Sequence, residues 1–346
     1  MTTPTTTAAT DDPAAAPTTR RQPPVAALSV ALAVLLAVVV GVLLIALGLP
    51  AAKSAPHDVP IGVAGPQQSV TAVQQGLSQR AGNAFDVTGF ADEAALRSAI
   101  LDREVYGGIV VGADGGQILT ASGGSPLIAQ TLAALAAPLQ QLTGRPVPVT
   151  DLVPLPDSDP RGVGLAAAAL PLTMAGLLPG ILISQRLGRR PGVAAATAVL
   201  SALTIGTTVA VLLDTPFGAI EGSLVPVAAG LALGAAAISL TILGLNAVLG
   251  RVGLGLGAAV IMLLGTPLSG LGSAPEVLPS GWGAFGQFLP QGATATLLRS
   301  TSYFDGAAAG RPVLVLTVYV VAALGLLGLG MLRRSSTLAA RHAATA

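Results

Sequence analysis

Residues 265–306 read GTPLSGLGSAPEVLPSGWGAFGQFLPQGATATLLRSTSYFDG, and the fold is decided by how this stretch is read. It closes one apolar run, crosses a loop and leads towards the last apolar run. Pro267, Pro275, Pro279 and Pro290 rule out one straight helix through it. Trp282, Phe285, Phe288, Tyr303 and Phe304 stand within it, five of the ten aromatic residues in the chain. Aromatic side chains with a wet end and an apolar body collect at membrane interfaces. The expectation is a loop, 272–311, that lies at or dips into the outer face of a bilayer. An ordinary external loop is the plainer alternative.

Composition supports a membrane setting. The chain has 346 residues, 52% hydrophobic and 10% charged, with a mean hydropathy of +0.75. A soluble domain carries about 25% charged residues, so the shortfall marks a polytopic membrane protein. With no cysteine, the chain has no disulfide, thiolate nucleophile or cysteine-ligated metal. Its two histidines, His57 and His342, stand at opposite ends, which argues against a histidine metal site. A net charge of +1 gives no sign of a nucleic-acid partner, and no motif calls for a cofactor.

Residues 1–24 are rich in Thr, Ala and Pro without an apolar period, so a disordered cytoplasmic N-terminus is expected. Val25 to Leu49 is uncharged and long enough to cross a bilayer of roughly 30 Å. Its apolar core exceeds that of a signal peptide, which favours an uncleaved anchor over cleavage near Ala51–Ala55. Residues 50–161 then read as a soluble α/β domain. Ile61–Ala64, Val87–Phe90 and Tyr106–Val111 look like strands, and Asp114-Gly115 signals a hairpin into Gln117–Thr120. Asp92 is a candidate N-cap, and Ser125-Pro126 starts a helix bearing the stripe Ile128, Leu132, Leu135, Leu139 and Leu142. Asp151, Asp157 and Asp159 read as a solvated linker in preference to a calcium site. Residues 162–332 hold five further runs, at 163–184, 193–213, 223–248, 252–271 and 312–332, and 333–346 form a short basic tail.

Charge orients this arrangement. With the N-terminus inside and six alternating spans, the inside segments hold Arg20, Arg21, Arg186, Arg189, Arg190, Arg251, Arg333, Arg334 and Arg341 against Asp11 and Asp12 alone. Every inside connection carries arginine beside a span, as the positive-inside rule requires. The fold expected is an α-helical polytopic membrane protein of the cell membrane, with six transmembrane helices. Both termini are cytoplasmic, and an extracytoplasmic α/β domain is inserted between helices 1 and 2.

No Asp, Glu, Lys, Arg or His falls within the six cores, which argues against a proton-coupled carrier or an ion channel. Ser239, Thr241, Asn246 and Thr266 read as interhelical or back-bonded groups. Gly176–Gly180, Gly230–Gly234 and Gly253–Gly257 each match GxxxG, a spacing that lets helices pack closely. No P-loop is present, because the one lysine, Lys53, follows Ala51 and Ala52.

One span, a large external domain, then five spans with a late external aromatic loop resembles the permeases of the ABC-2 type transporter family, especially the bacterial phage-infection-protein-like exporters. Asp102–Val111 (DREVYGGIVV) is similar to that group's turn, small residues and apolar strand. Leu278–Pro279, Leu289–Pro290 and Leu297–Leu298–Arg299 are similar to its LP…P…LLR pattern before the last span. Gly112-Ala113-Asp114 departs from the PxxF step of such relatives. The resemblance implies an export permease that is not itself an enzyme, pairs as a homo- or heterodimer and is driven by a separate cytoplasmic ATPase. Arg186, Arg189 and Arg190 lie where such docking would occur, though setting topology explains them as well. The absence of charge in the spans suits an apolar or amphipathic cargo. A membrane-anchored scaffold acting through its external domain is the other reading.

Overall fold

The computed structural model describes residues 55–112 and 115–343, together with scattered positions between 29 and 48, each of them helical. Residues 1–28, the rest of the first apolar run, the Asp114 turn and residues 344–346 lie outside the described residues. So do the expected disordered N-terminus, Arg20 and Arg21. Residues from 45 onward form one compact unit.

Residues 59–151 hold a mixed sheet. Its strands are β1 (Val59–Ala64), β2 (Phe85–Phe90), β3 (Gly107–Gly112), β4 (Gly115–Thr120) and β5 (Val149–Asp151), in the order β2-β1-β3-β4-β5. β1 runs parallel to β2 and β3, β3 and β4 pair antiparallel, and β5 lies parallel to β4. The parallel pairs require crossovers, supplied by α1 (Gln67–Ala81) and α2 (Glu93–Leu101). Asp92 caps α2 by accepting from the Ala95 amide at 2.8 Å.

The leucine stripe expected as one helix forms two, α3 (Pro126–Ala133) and α4 (Ala136–Thr143). Ser125 caps the first, with Pro126 in its first turn. Pro138 explains the break: it has no N–H, and its ring would clash with the residue 134 carbonyl of a continuous helix. Leu132, Leu135 and Leu139 still pack on the same core. β5, only three residues long and at the edge of the sheet, was not anticipated.

The sheet's two cores are not made by residues 50–161 alone. Leu96, Ile100 and Leu119 cluster with Phe304 on one side. Ile61, Ile118, Ile128 and Leu132 cluster with Ala274 and Val277 on the other. The Ala55 and His57 amides donate to the Val277 and Glu276 carbonyls at 3.0 and 2.9 Å. The late loop therefore completes both cores of the sheet, which residues 50–161 do not close by themselves.

The apolar part begins with α5 (Val163–Ala167), which leads into α6 (Ala169–Leu187). α7 (Pro191–Asp214), α8 (Leu224–Leu249) and α9 (Arg251–Val260) follow, and a π-helical turn, Ile261–Gly265, extends α9. After the loop come α10 (Trp282–Gly286), α11 (Pro290–Tyr303) and α12 (Gly310–Ala343). Among the described residues, four stretches are long and apolar enough to cross a membrane: Val163–Leu187, Pro191–Asp214, Leu224–Leu249 and Gly310–Arg333. The run expected to span 252–271 leaves the helix after Gly265. At 1.5 Å per residue α9 and its π turn reach roughly 22 Å, short of a full crossing. The Gln291 side chain lies where a Gly265 side chain would be and donates to the Ile261 carbonyl at 2.9 Å, wedging the turn open.

α8 is the centre of the bundle. Of its apolar window 72% is buried, against 22 to 33% for the other three long apolar helices. All three GxxxG pairs serve it. Gly176 and Gly180 of α6 meet Ile238, Ser239 and Ile242, and Gly253 and Gly257 of α9 meet Leu245. Gly230 and Gly234, on α8 itself, meet Leu297 and Thr294 of α11. Small residues face inward elsewhere too: Ala194, Ala198, Ala202, Gly206 and Ala210 of α7 are buried while Leu200, Leu203 and Leu212 are exposed. This inverts the soluble pattern and suits helices whose outer surface meets hydrocarbon. Ser239 and Thr241 bond back to the Ala236 and Ala237 carbonyls, and Thr266 reaches Thr173 at 3.0 Å.

Gly234→Leu should overpack α8 against Thr294 and cost about 1–3 kcal/mol, whereas Gly255→Ala, whose new methyl meets nothing within 4 Å, should not destabilise. Thermal melting of the two detergent-purified variants checks this. A fragment of residues 55–160 should melt well below the same region in the full chain, because Ala274, Val277 and Phe304 leave its cores. Amide hydrogen exchange of the two forms makes the comparison.

Candidate functional site

The candidate site is the junction where α11 and its loop meet the sheet. α11 is almost wholly buried, and Arg299 on it is 4% exposed. The Arg299 Nη2 donates to three carbonyls of the loop: Gly270 at 2.8 Å, Leu271 at 2.6 Å and Ser273 at 3.0 Å. No carboxylate among the described residues lies within ion-pair distance of it. Burial, the largest effect, pushes its pKa down; nearby Tyr106 and Glu276 act in the opposite direction.

Arg103 approaches α11 from the sheet side. It directly follows the α2 C-cap and adopts a left-handed backbone (φ 62), a conformation usually left to glycine. Its Nη1 donates to the Thr296 carbonyl at 3.1 Å and to the Ser300 hydroxyl, and its guanidinium lies 5.1 Å from the Phe304 ring centroid. Burial and, to a smaller degree, the Arg299 charge lower its pKa to about 10, so it remains a cation at neutral pH. The Tyr106 hydroxyl donates to Glu276 Oε2 at 2.7 Å, tying β3 to the loop. Tyr303 donates to the Ala219 carbonyl at 2.9 Å, tying α11 to the α7–α8 connection. Burial raises both tyrosine pKa values, helped by the Glu276 charge at Tyr106 and the Asp159 charge at Tyr303.

Asp159 is not a solvated linker residue. It is 8% exposed and accepts from the Val163 and Gly164 amides at 2.8 and 2.7 Å, capping the first long helix of the bundle. Asp151 accepts from the Ser122 and Val153 amides. Among the described residues no group of three or more His, Asp or Glu could hold a metal ion.

Two cavities open at the junction. One, of about 320 Å³, is bordered by Arg103, Glu104, Tyr106, Glu276 and Arg311 and so has mixed charge. The other, of about 370 Å³, lies between α3, α5 and the loop and is bordered by Arg161 and Arg299.

The aromatic residues of the loop divide. Phe304 is buried in a core of the sheet domain and Tyr303 is half-buried, which departs from the interfacial reading for both. Trp282 is half-buried, while Phe285 and Phe288 are 51% and 55% exposed. Arg186, Arg189 and Arg190 are exposed, where α6 hands over to α7. Arg251 begins α9 and Arg333 closes the long apolar part of α12. The sheet instead meets the 215–223 connection and the 266–311 segment, through Ser158 on Gly218 and Arg103 on Thr296. The sequence reading passed over Arg103, Tyr106, Asp159 and Glu276 as site residues. Arg299 carried a signal, being the one charged residue between Glu276 and Asp305.

Arg299→Met should leave three carbonyls without their donor and release the loop. Proteolysis within 266–289 should rise several-fold, and stability should fall by about 3 kcal/mol. In an ultraviolet titration the folded protein should form no tyrosinate from Tyr106 or Tyr303 near pH 10, where exposed tyrosine ionises. Because both folded-state pKa values are raised, the stability they contribute is complete below about pH 10 and is lost as pH rises beyond it. Tyr106→Phe should flatten part of that alkaline loss.

No family model, curated protein or solved structure matches the chain.

Proposed function

We propose that this protein is the membrane-spanning, permease-like subunit of an export system, resembling the ABC-2 type. It moves an apolar or amphipathic substrate with energy from a separate cytoplasmic ATPase. It has six spans, the first at 25–49 and the fifth at 252–271, of which the helix covers only the part up to Gly265. It lies in the cell membrane with both termini cytoplasmic and the sheet domain outside. Two such subunits pair.

The observation that carries this reading is the double attachment of α11. One face packs on the central helix α8 through Gly230 and Gly234, and the other is gripped by Arg103 of the sheet domain. A rearrangement of the bundle therefore moves the external domain with it, as a transport cycle requires and a passive anchor does not. The arginines at the α6–α7 turn and at the start of α9 lie away from the sheet, which suits a cytoplasmic face. The spans supply no charge for ion coupling, which suits an apolar cargo.

The scaffold reading draws on the size of the sheet domain, and one experiment separates the two. The tagged chain is purified in mild detergent from its own host and the co-purifying proteins are identified. A near-stoichiometric nucleotide-binding subunit supports the permease. Recovery of the chain alone, or of envelope proteins only, rejects it. Because the native chain has no cysteine, orientation can be read independently. Asp157→Cys should react with an impermeant maleimide on intact cells, and Arg189→Cys should react only after permeabilisation.

A further inference from the structure

We propose that the cavity of about 370 Å³ between α3, α5 and the loop binds the acidic headgroup of an anionic amphipath, with Arg299 and Arg161 as its cationic wall.

Arg299 supplies the first argument. The guanidinium is 4% exposed, is met by carbonyl dipoles and, among the described residues, has no carboxylate within 4.0 Å to pair with directly. All its hydrogen bonds leave from Nη2. Nε and Nη1 bond to no described residue, and the side chain borders the cavity. A guanidinium is built to present parallel donors to a carboxylate or phosphate. Arg161 borders the same cavity, exposed and without an ion-pair partner among the described residues. No Asp or Glu lines it. Asp159, beside Arg161 in the chain, directs its carboxylate at the Val163 and Gly164 amides.

The rest of the wall supplies the second argument. Leu127, Leu155, Val163, Leu165 and Leu271 line the cavity, and Leu127 and Val163 are 44% and 57% exposed at its mouth. Val163 begins the first long apolar helix. An anion with an apolar tail fits this arrangement, its charged head towards the arginines and its tail along that helix. The other cavity, with Glu104 and Glu276 beside its arginines, offers no such one-signed wall. The inference does not rest on transport, since a membrane scaffold would hold a lipid here equally well.

Arg299 also pins the loop, so removing it confounds binding with folding. Two other variants test the site. Arg161→Gln removes the outer cation. Gly272→Leu adds bulk at a cavity-lining position whose new Cβ meets nothing within 4 Å. The full-length protein is examined by native mass spectrometry from nonionic detergent with dioleoyl phosphatidylglycerol, with phosphatidylcholine of the same chains, or with glycerol phosphate. Phosphatidylglycerol should stay bound in preference to phosphatidylcholine, and glycerol phosphate should bind far more weakly. Each variant should melt normally and lose phosphatidylglycerol affinity, Arg161→Gln by about tenfold, the loss expected for one charge-assisted hydrogen bond, and Gly272→Leu by filling the space the headgroup needs. Equal retention of the two lipids overturns the proposal. So does glycerol phosphate binding as tightly as phosphatidylglycerol, or full retention of phosphatidylglycerol by both normally melting variants.

Discussion

The fold turns on a buried cation with no buried anion to match it. Taking a guanidinium out of water costs several kcal/mol unless dipoles replace the lost solvent. Here the carbonyls of Gly270, Leu271 and Ser273 replace part of it, and they converge on Arg299 only if the loop after α9 folds back over α11. That fold-back brings Ala274 and Val277 to one face of the sheet, while Phe304, just beyond α11, reaches the other. One side chain thus couples the path of the late loop to the cores of a domain whose strands begin some two hundred residues earlier.

The bundle depends on a complementary constraint, the scarcity of bulk on α8. Helices in hydrocarbon gain little from burying apolar surface against one another and hold together by close packing. α8 satisfies this with Gly230 and Gly234 towards α11, and it accepts the glycines of α6 and α9 on other faces. α11 lies at the crossing of the two constraints, with glycines of α8 on one side and Arg103 on the other. The junction is consequently the place where motion in either part must be felt by the other. The cavities beside it are bordered by residues of both.

Much of the sheet was legible before the structure. Short apolar runs marked the strands, Asp92 and Ser125 announced helix starts, and a serine–proline pair fixed where α3 begins. The misreadings each have a physical origin. Pro138 breaks the leucine stripe because periodicity records which face is apolar and not whether the backbone can continue. β5 was hidden because a three-residue edge strand is too short to show a period in the sequence. Asp159 reads as one more acid in a proline-rich linker, and its role as a cap appears only when the Val163 and Gly164 amides stand against it.

What the sequence determined by itself was the class of solvent each segment tolerates. Uncharged apolar runs of about twenty residues can satisfy their backbone only as helices in hydrocarbon, and arginines gather at their ends. The tertiary structure decided partnership. The aromatic-rich loop is apolar enough for a membrane interface and for a protein core alike, and composition does not distinguish the two. Phe304 went to a core because a complementary cluster, Leu96 and Ile100 of α2 with Ala64 and Leu119 of the sheet, was there to receive it. Phe285 and Phe288, with no such cluster, stayed outside. Burial against a specific surface depends on contacts between residues far apart in the chain, and local pattern carries no record of those.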